Sequence, residues 1–195
     1  MEINLKKDID AYILEQNELL KKLETLTPEF KKFNTFIFKI EDCKGLNLEK
    51  FDFENTIYLM EIIDFGAFEN VNKLDGAKNL LKYIDRRKKE NKKIKFPKVN
   101  ELEEKSNILY IGKSNGNFKT RLQQHLQSSS EKTYALHLCN WEPQKCAGFK
   151  ICLHYATINS PIFDGLTKNT KKILLEMAET ALHQSFKPLL GRTGH

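Results

Sequence analysis

Asn107-Ile108-Leu109-Tyr110-Ile111-Gly112-Lys113-Ser114-Asn115-Gly116-Asn117 changes character halfway along. The first half is apolar and β-branched, which suits a buried strand. The second half supplies Ser, Asn and Gly for a turn and a helix N-cap, so a helix is predicted from about Phe118 to Gln127, broken by Ser128-Ser129-Ser130. Upstream, Phe36-Ile37-Phe38-Lys39-Ile40 and Thr56-Ile57-Tyr58-Leu59-Met60-Glu61-Ile62-Ile63 read as two more strands. From Asp64 to Ser106 the composition turns to charge and Asn, with a helix expected around Ala77 to Arg87 and an end at Pro97, so 64–106 reads as an insertion. Downstream come a short helix from Thr133 to Trp141, a strand from Phe149 to Ile158, and a last helix from about Thr167 to Phe186 before Lys187-Pro188.

Leu5, Ile9, Tyr12, Leu19, Leu23 and Leu26 make an amphipathic helix of residues 3 to 26, closed by Thr27-Pro28. That stripe is read first as packing on the chain's own domain, with a short coiled coil, and so a homodimer through this helix, as the alternative. The 195 residues are enough for one domain plus an appendage. With 40% hydrophobic and 30% charged residues the chain can bury a core, which excludes a disordered or fibrous protein. No apolar run is long enough for a membrane span and no secretory leader opens the chain, so a cytoplasmic protein without a membrane partner is expected. Cys43, Cys139, Cys146 and Cys152 are too few for a disulfide framework and are expected as reduced thiols. A net charge of +6 favours a polyanionic partner.

The regular elements carry, in order, Tyr58, Tyr110, Arg121 with His125, and Glu179. Two phenols, a fixed cation, an imidazole and a carboxylate suit phosphodiester hydrolysis. The carboxylate holds a divalent cation, the guanidinium neutralises charge at phosphate, and a phenol or imidazole takes a proton from water. Arg121 and His125 stand at i and i+4, one turn apart on one helix face. On the last helix Leu174, Ala178, Ala181 and Leu182 centre the apolar face, Glu179 borders it, and Glu176 points further toward solvent, so Glu179 is the better-sheltered ligand. His183, one turn on, would pair with Glu179 for a transition metal and ranks below a Mg²⁺ site. Taken singly, each of these residues is ordinary: a core tyrosine, a common strand end, a solvated helix face. Their joint order carries the reading.

That order resembles the GIY-YIG nuclease family. Ile57-Tyr58 is similar to the end of the first motif, Tyr110-Ile111-Gly112 is the second motif intact, and Arg121-Leu122-Gln123-Gln124-His125 resembles the R-x-x-x-H helix of restriction-type members. Glu179 followed by Pro188 resembles the metal-binding glutamate and its downstream proline. Thr56 stands where the first motif has Gly, which calls for a locally different backbone, and Gly191 falls where many members carry an asparagine, with Arg192 or Thr193 as substitutes.

The resemblance implies an α+β fold, a small three-stranded antiparallel sheet flanked by helices, with an extension at 1–53 and a nuclease core at 54–195 that holds the basic insertion 64–106. It implies a Mg²⁺-dependent endonuclease acting on DNA, with Mn²⁺ as a substitute metal, leaving a 5′-phosphate and a 3′-hydroxyl. Tyr58 is the expected base and Tyr110 positions water and phosphate, with His125 or Lys113 assisting the proton transfer. The alternative is a non-catalytic nucleic-acid-binding module on the same fold. DNA contacts are expected from Arg87, Lys88, Lys92, Lys93, Lys113, Lys119 and Arg192, within a basic surface that also holds Lys82, Lys95, Lys98, Lys168, Lys171 and Lys172. His137, Cys139, Cys146, Cys152 and His154 lack zinc-site spacing, so zinc is not expected.

Overall fold

Thr56–Asp64 (β2) is buried along most of its length on both faces, as a strand between two neighbours and two layers must be. The computed structural model describes residues 13–15, 17–25, 33–69, 72–102, 106–158 and 161–191. β2 lies between Ile108–Ser114 (β3) and Lys150–Thr157 (β4), and Asn34–Lys39 (β1) pairs with the far side of β4. The order is β1-β4-β2-β3, every pair antiparallel. The sheet is thus one strand wider than the three expected. The extra strand is Phe36-Ile37-Phe38 with its neighbours, legible as a strand, whose place in the sheet depends on the distant partner β4. Thr56 sits in regular register opposite Ser114 and Thr157, so Thr in place of the motif's Gly needs no unusual backbone.

Two helices cover one face of the sheet. Lys73–Glu90 (α1) is capped by Asn72, whose side chain accepts the Asp75 N–H at 3.0 Å. It runs well past the expected 77–87 at both ends. Phe118–Leu126 (α2) begins at the Asn117 cap. Leu80, Ile84, Leu122 and Leu126 bury against Tyr58, Met60, Ile62, Ile151 and Leu153. The other face takes Lys168–Phe186 (α3), where Ala178 meets Ile57 and Ala156, and Leu182 meets Leu59 and Ile111. Leu19 and Leu23, on helical residues 17–25, pack with Phe163, Leu174 and Leu175 of the same chain. Leu5, Ile9, Tyr12 and Leu26 of that stripe lie outside the described residues.

The helix expected over 133–141 does not form, and only one 3₁₀ turn, Leu138–Asn140, is present. Its backbone donors are taken by distant partners: the Ala135 N–H goes to the Lys95 carbonyl at 3.3 Å and the Leu136 N–H to His125 Nδ1 at 3.2 Å. His137 adopts a left-handed conformation, φ 52°, incompatible with continuing a helix.

The outer edge of β3 is closed by the chain's own C-terminal segment. Leu189 and Leu190 donate to the Ile108 and Leu109 carbonyls at 2.8 and 3.0 Å, and Val99 pairs antiparallel with Leu190 on the far side. No helix among the described residues is long and apolar enough to cross a membrane.

Candidate active site

Register places Tyr58 on β2 opposite Gly112 on β3. A Cβ at Gly112 would lie 2.5 Å from Tyr58 Oη and 2.7 Å from Tyr110 Cε1, so glycine is what lets the two phenols converge over the strand. The rings stand 6.2 Å apart between centroids. Tyr58 is completely buried, whereas Tyr110 reaches the wall of a cleft of about 660 Å³.

The Asn117 cap sets the start of α2, and the helical repeat then turns Arg121 and His125 onto the two phenols. Arg121 donates from Nε to Tyr58 Oη at 3.1 Å, from Nη2 to Tyr110 Oη and to the Tyr134 carbonyl, both at 3.2 Å, and from Nη1 to Gln124 Oε1 at 2.8 Å. Four of the five guanidinium N–H donors are therefore engaged, leaving one on Nη1 without a partner among the described residues.

His125 is buried, with Nε2 2.9 Å from Tyr58 Oη. Its Nδ1 receives the Leu136 N–H, and a backbone amide can only donate, so Nδ1 holds the lone pair and Nε2 carries the proton. Burial, with the nearby Arg121 charge, holds the imidazole far below its ordinary pKa, so it is neutral. Tyr58 Oη accordingly accepts from both His125 and Arg121, which leaves its own O–H free to turn toward the neighbouring Tyr110. Every link in the series Leu136, His125, Tyr58 donates toward Tyr110. Burial raises both phenol pKa values, and Arg121 opposes it in each. The geometry differs here from the expected proton path: an Nε2 that already carries a proton and an Nδ1 already occupied leave His125 no site to accept one.

Glu179 is buried on α3, and its carboxyl is pushed up to about 7 by desolvation, with Lys113 and Arg121 pulling it down and Glu176 raising it. Glu176 is half-buried and ion-paired with Lys113 at 2.9 Å. Gly191 lines the same cleft at φ 116°, where a Cβ would come within 3.3 Å of both His183 Cε1 and Tyr110 Cε2. Backbone strain and crowding both explain why no side chain stands there. His183 Nε2 is buried without a hydrogen-bond partner among the described residues.

Of the cations expected to meet DNA, Lys88 and Lys113 line the cleft. Arg87 instead bonds the Asn140 carbonyl at 3.1 Å and pairs with Glu142 and Glu90, and Lys119 pairs with Glu49 at 2.7 Å. Lys92 and Lys93 are exposed in the turn after α1, apart from the cleft lining, and Arg192 lies outside the described residues. Lys95 and Lys98, which the sequence grouped with the run without singling them out, are at the cleft, as is Tyr134, which sequence reasoning missed by assigning it to a helix. The four cysteines are free thiols, three of them buried, and His137 bonds Ser128 and the Thr133 carbonyl.

Residues 101–160, which hold β3, α2 and β4, match the family model of the GIY-YIG catalytic domain. Over that stretch the chain is similar to a GIY-YIG catalytic domain. The matched stretch contains Tyr110, Arg121 and His125, and the sheet register adds Tyr58 from outside it. Comparison with curated proteins and with solved structures gave no match. A domain of that kind implies nuclease-type hydrolysis of phosphodiester bonds.

Proposed function

We propose that this protein is a GIY-YIG endonuclease that hydrolyses DNA with Mg²⁺, Mn²⁺ serving as a substitute, and that Tyr110 is its general base. The observation that carries the assignment is the one-way series of donors from Leu136 through His125 to Tyr58, set beside Tyr110, the phenol at the cleft wall that Arg121 also meets. Two donors aimed at that oxygen, Tyr58 O–H and Arg121 Nη2–H, stabilise its phenolate against the burial that opposes it. Tyr58 and His125 are then positioning residues, which exchanges the roles the sequence order implied for the two tyrosines.

The donor set suits a hard cation. Glu179 offers one sheltered carboxylate beside a cationic cleft, a ligand of the kind Mg²⁺ takes while keeping water and phosphate oxygens in its other positions. Glu179 would hold it, and the cation would supply charge stabilisation at the phosphate oxygens. The Tyr110 phenolate takes the proton of the attacking water as the water oxygen bonds to phosphorus and the P–O3′ bond breaks, and the departing O3′ takes a proton from solvent water, leaving a 5′-phosphate and a 3′-hydroxyl. The unengaged Nη1–H of Arg121 faces developing charge on the phosphate. On this reading residues 54–195 form the nuclease core, 64–106 adds one wall of its cleft, 1–53 is an extension, and the reduced thiols fit a cytoplasmic setting.

Plasmid nicking with Mg²⁺, with EDTA as control, tests the proposal. Metal-dependent conversion of supercoiled to nicked or linear plasmid is expected. Binding without cleavage at any metal concentration would favour a non-catalytic nucleic-acid-binding module.

A further inference from the structure

Tyr134 is an exposed aromatic residue that the chemistry above leaves without a role. It lines the cleft with 62% of its surface accessible, and no other ring packs on it among the described residues. Removing it would uncover little, so a packing role does not explain it.

Its backbone is tied to the site from both directions. The Tyr134 carbonyl accepts from Arg121 Nη2 at 3.2 Å, and the next two N–H groups are bound to the Lys95 carbonyl and His125 Nδ1. The ring therefore stands on a fixed segment, within a side chain's length of the guanidinium that meets the phosphate. The Lys95 ammonium sits 5.4 Å from the ring centroid, bringing a cation to the same rim.

We propose that the Tyr134 ring is a stacking platform for an unpaired nucleobase beside the phosphate held at Arg121, making single-stranded or locally unpaired nucleic acid the preferred substrate. The inference rests on the nuclease reading and narrows its substrate. An exposed aromatic face beside a backbone-tracking cationic groove is how single strands are held without base-specific hydrogen bonds. A paired base has both faces covered by its neighbours and must first be unstacked, whereas a bulge, junction or single strand presents its face at no such cost.

The test uses the full chain in EDTA, so that binding is read without cleavage. Its probes are a single-stranded oligodeoxynucleotide, its duplex, and a strand of equal length built of abasic sites. Wild type should prefer the first of these. Tyr134→Ala should lose roughly 5- to 100-fold in affinity for that strand alone, while Tyr134→Trp retains it. A 2-aminopurine in the strand should be quenched on binding wild type and brighter on the alanine variant. Equal loss on the abasic strand, or unchanged affinity for the normal strand, overturns the stacking role while leaving the nuclease reading in place. If wild type binds none of the three, both readings fall.

Discussion

Tyr58→Phe removes one hydroxyl from the middle of the hydrogen-bond series and keeps the ring that packs 5.1 Å from Phe118 and 6.2 Å from Tyr110. What Tyr110 loses is one of the two donors on its oxygen, while Arg121 Nη2 stays at 3.2 Å. A hydrogen bond to an ionised group contributes about 1.5–3 kcal/mol, so the Tyr110 phenolate should become harder to form by roughly one to two pKa units. At any pH below that pKa, the single-turnover rate should fall about 10- to 150-fold and recover as pH rises, a displaced profile of unchanged shape. Tyr110→Phe removes the base itself and should cost roughly 10²–10⁴-fold with the pH dependence flattened. The assay is single-turnover cleavage at saturating DNA and Mg²⁺ across neutral to alkaline pH, with thermal unfolding as the folding control. A Tyr110→Phe enzyme near wild type beside an inactive Tyr58→Phe enzyme would restore Tyr58 as the base and refute the direction of proton transfer argued from the Leu136 amide.

The remaining expectations concern the metal ligand, the cleft cations and the glycine. Because the folded pKa of Glu179 is raised from 4.5 to about 7, its stabilising contribution is complete below pH 4.5 and is lost as pH rises through 7. In EDTA, Glu179→Gln should therefore match wild type near pH 4.5 and exceed it by up to about 3 kcal/mol above pH 7 in denaturant unfolding. The same variant should bind DNA yet fail to cut it, and Mg²⁺ should raise the melting temperature of wild type only; full Mg²⁺-dependent cleavage by the variant would exclude Glu179 as the essential ligand. Lys88, Lys95 and Lys98 changed together to Ala should weaken DNA binding and flatten its salt slope by about 0.9 per phosphate contact removed, measured by fluorescence anisotropy, while Lys92 and Lys93 changed to Ala should leave the slope as it was. Gly112→Ala should disrupt the tyrosine pair, seen as a lowered melting temperature and lost cleavage, since its methyl would meet Tyr58 Oη at 2.5 Å.

What the sequence disclosed and what it concealed divide along a physical line. Strands β2 and β3, helix α2 and its Arg121 and His125 follow from local pattern: β-branched runs, an Asn cap and the helical repeat. The placement of β1 needed the partner β4, which no local window contains. The segment 133–137 has helix-compatible residues, and its actual path is set by hydrogen bonds to Lys95, Arg121 and His125, so local propensity pointed the wrong way there. The direction of hydrogen bonding through His125 was equally hidden, because it depends on one backbone amide reaching one imidazole nitrogen. The ion pairs of the basic residues were hidden for a related reason: a basic run is visible in composition, but Glu142 and Glu49, which engage Arg87 and Lys119, are distant in sequence.

The insertion shapes the cleft through its end more than through its charge. The helix α1 buries Ala77, Leu80 and Ile84, and its Arg86 and Arg87 bond to Glu142, so most of it is occupied with packing. The chain returning from it is held by Val99 against Leu190 and by Gly191, whose N–H reaches the Lys98 carbonyl at 2.8 Å. Those bonds tie down Lys98 in the cleft lining, which Lys95, Lys113 and Glu176 share. The same pairing occupies the outer edge of β3, where an open row of backbone groups would otherwise invite a second chain. One segment thus caps the sheet and lines the cleft beside Tyr110, which on the proposed function couples the substrate-binding surface to the integrity of the sheet edge.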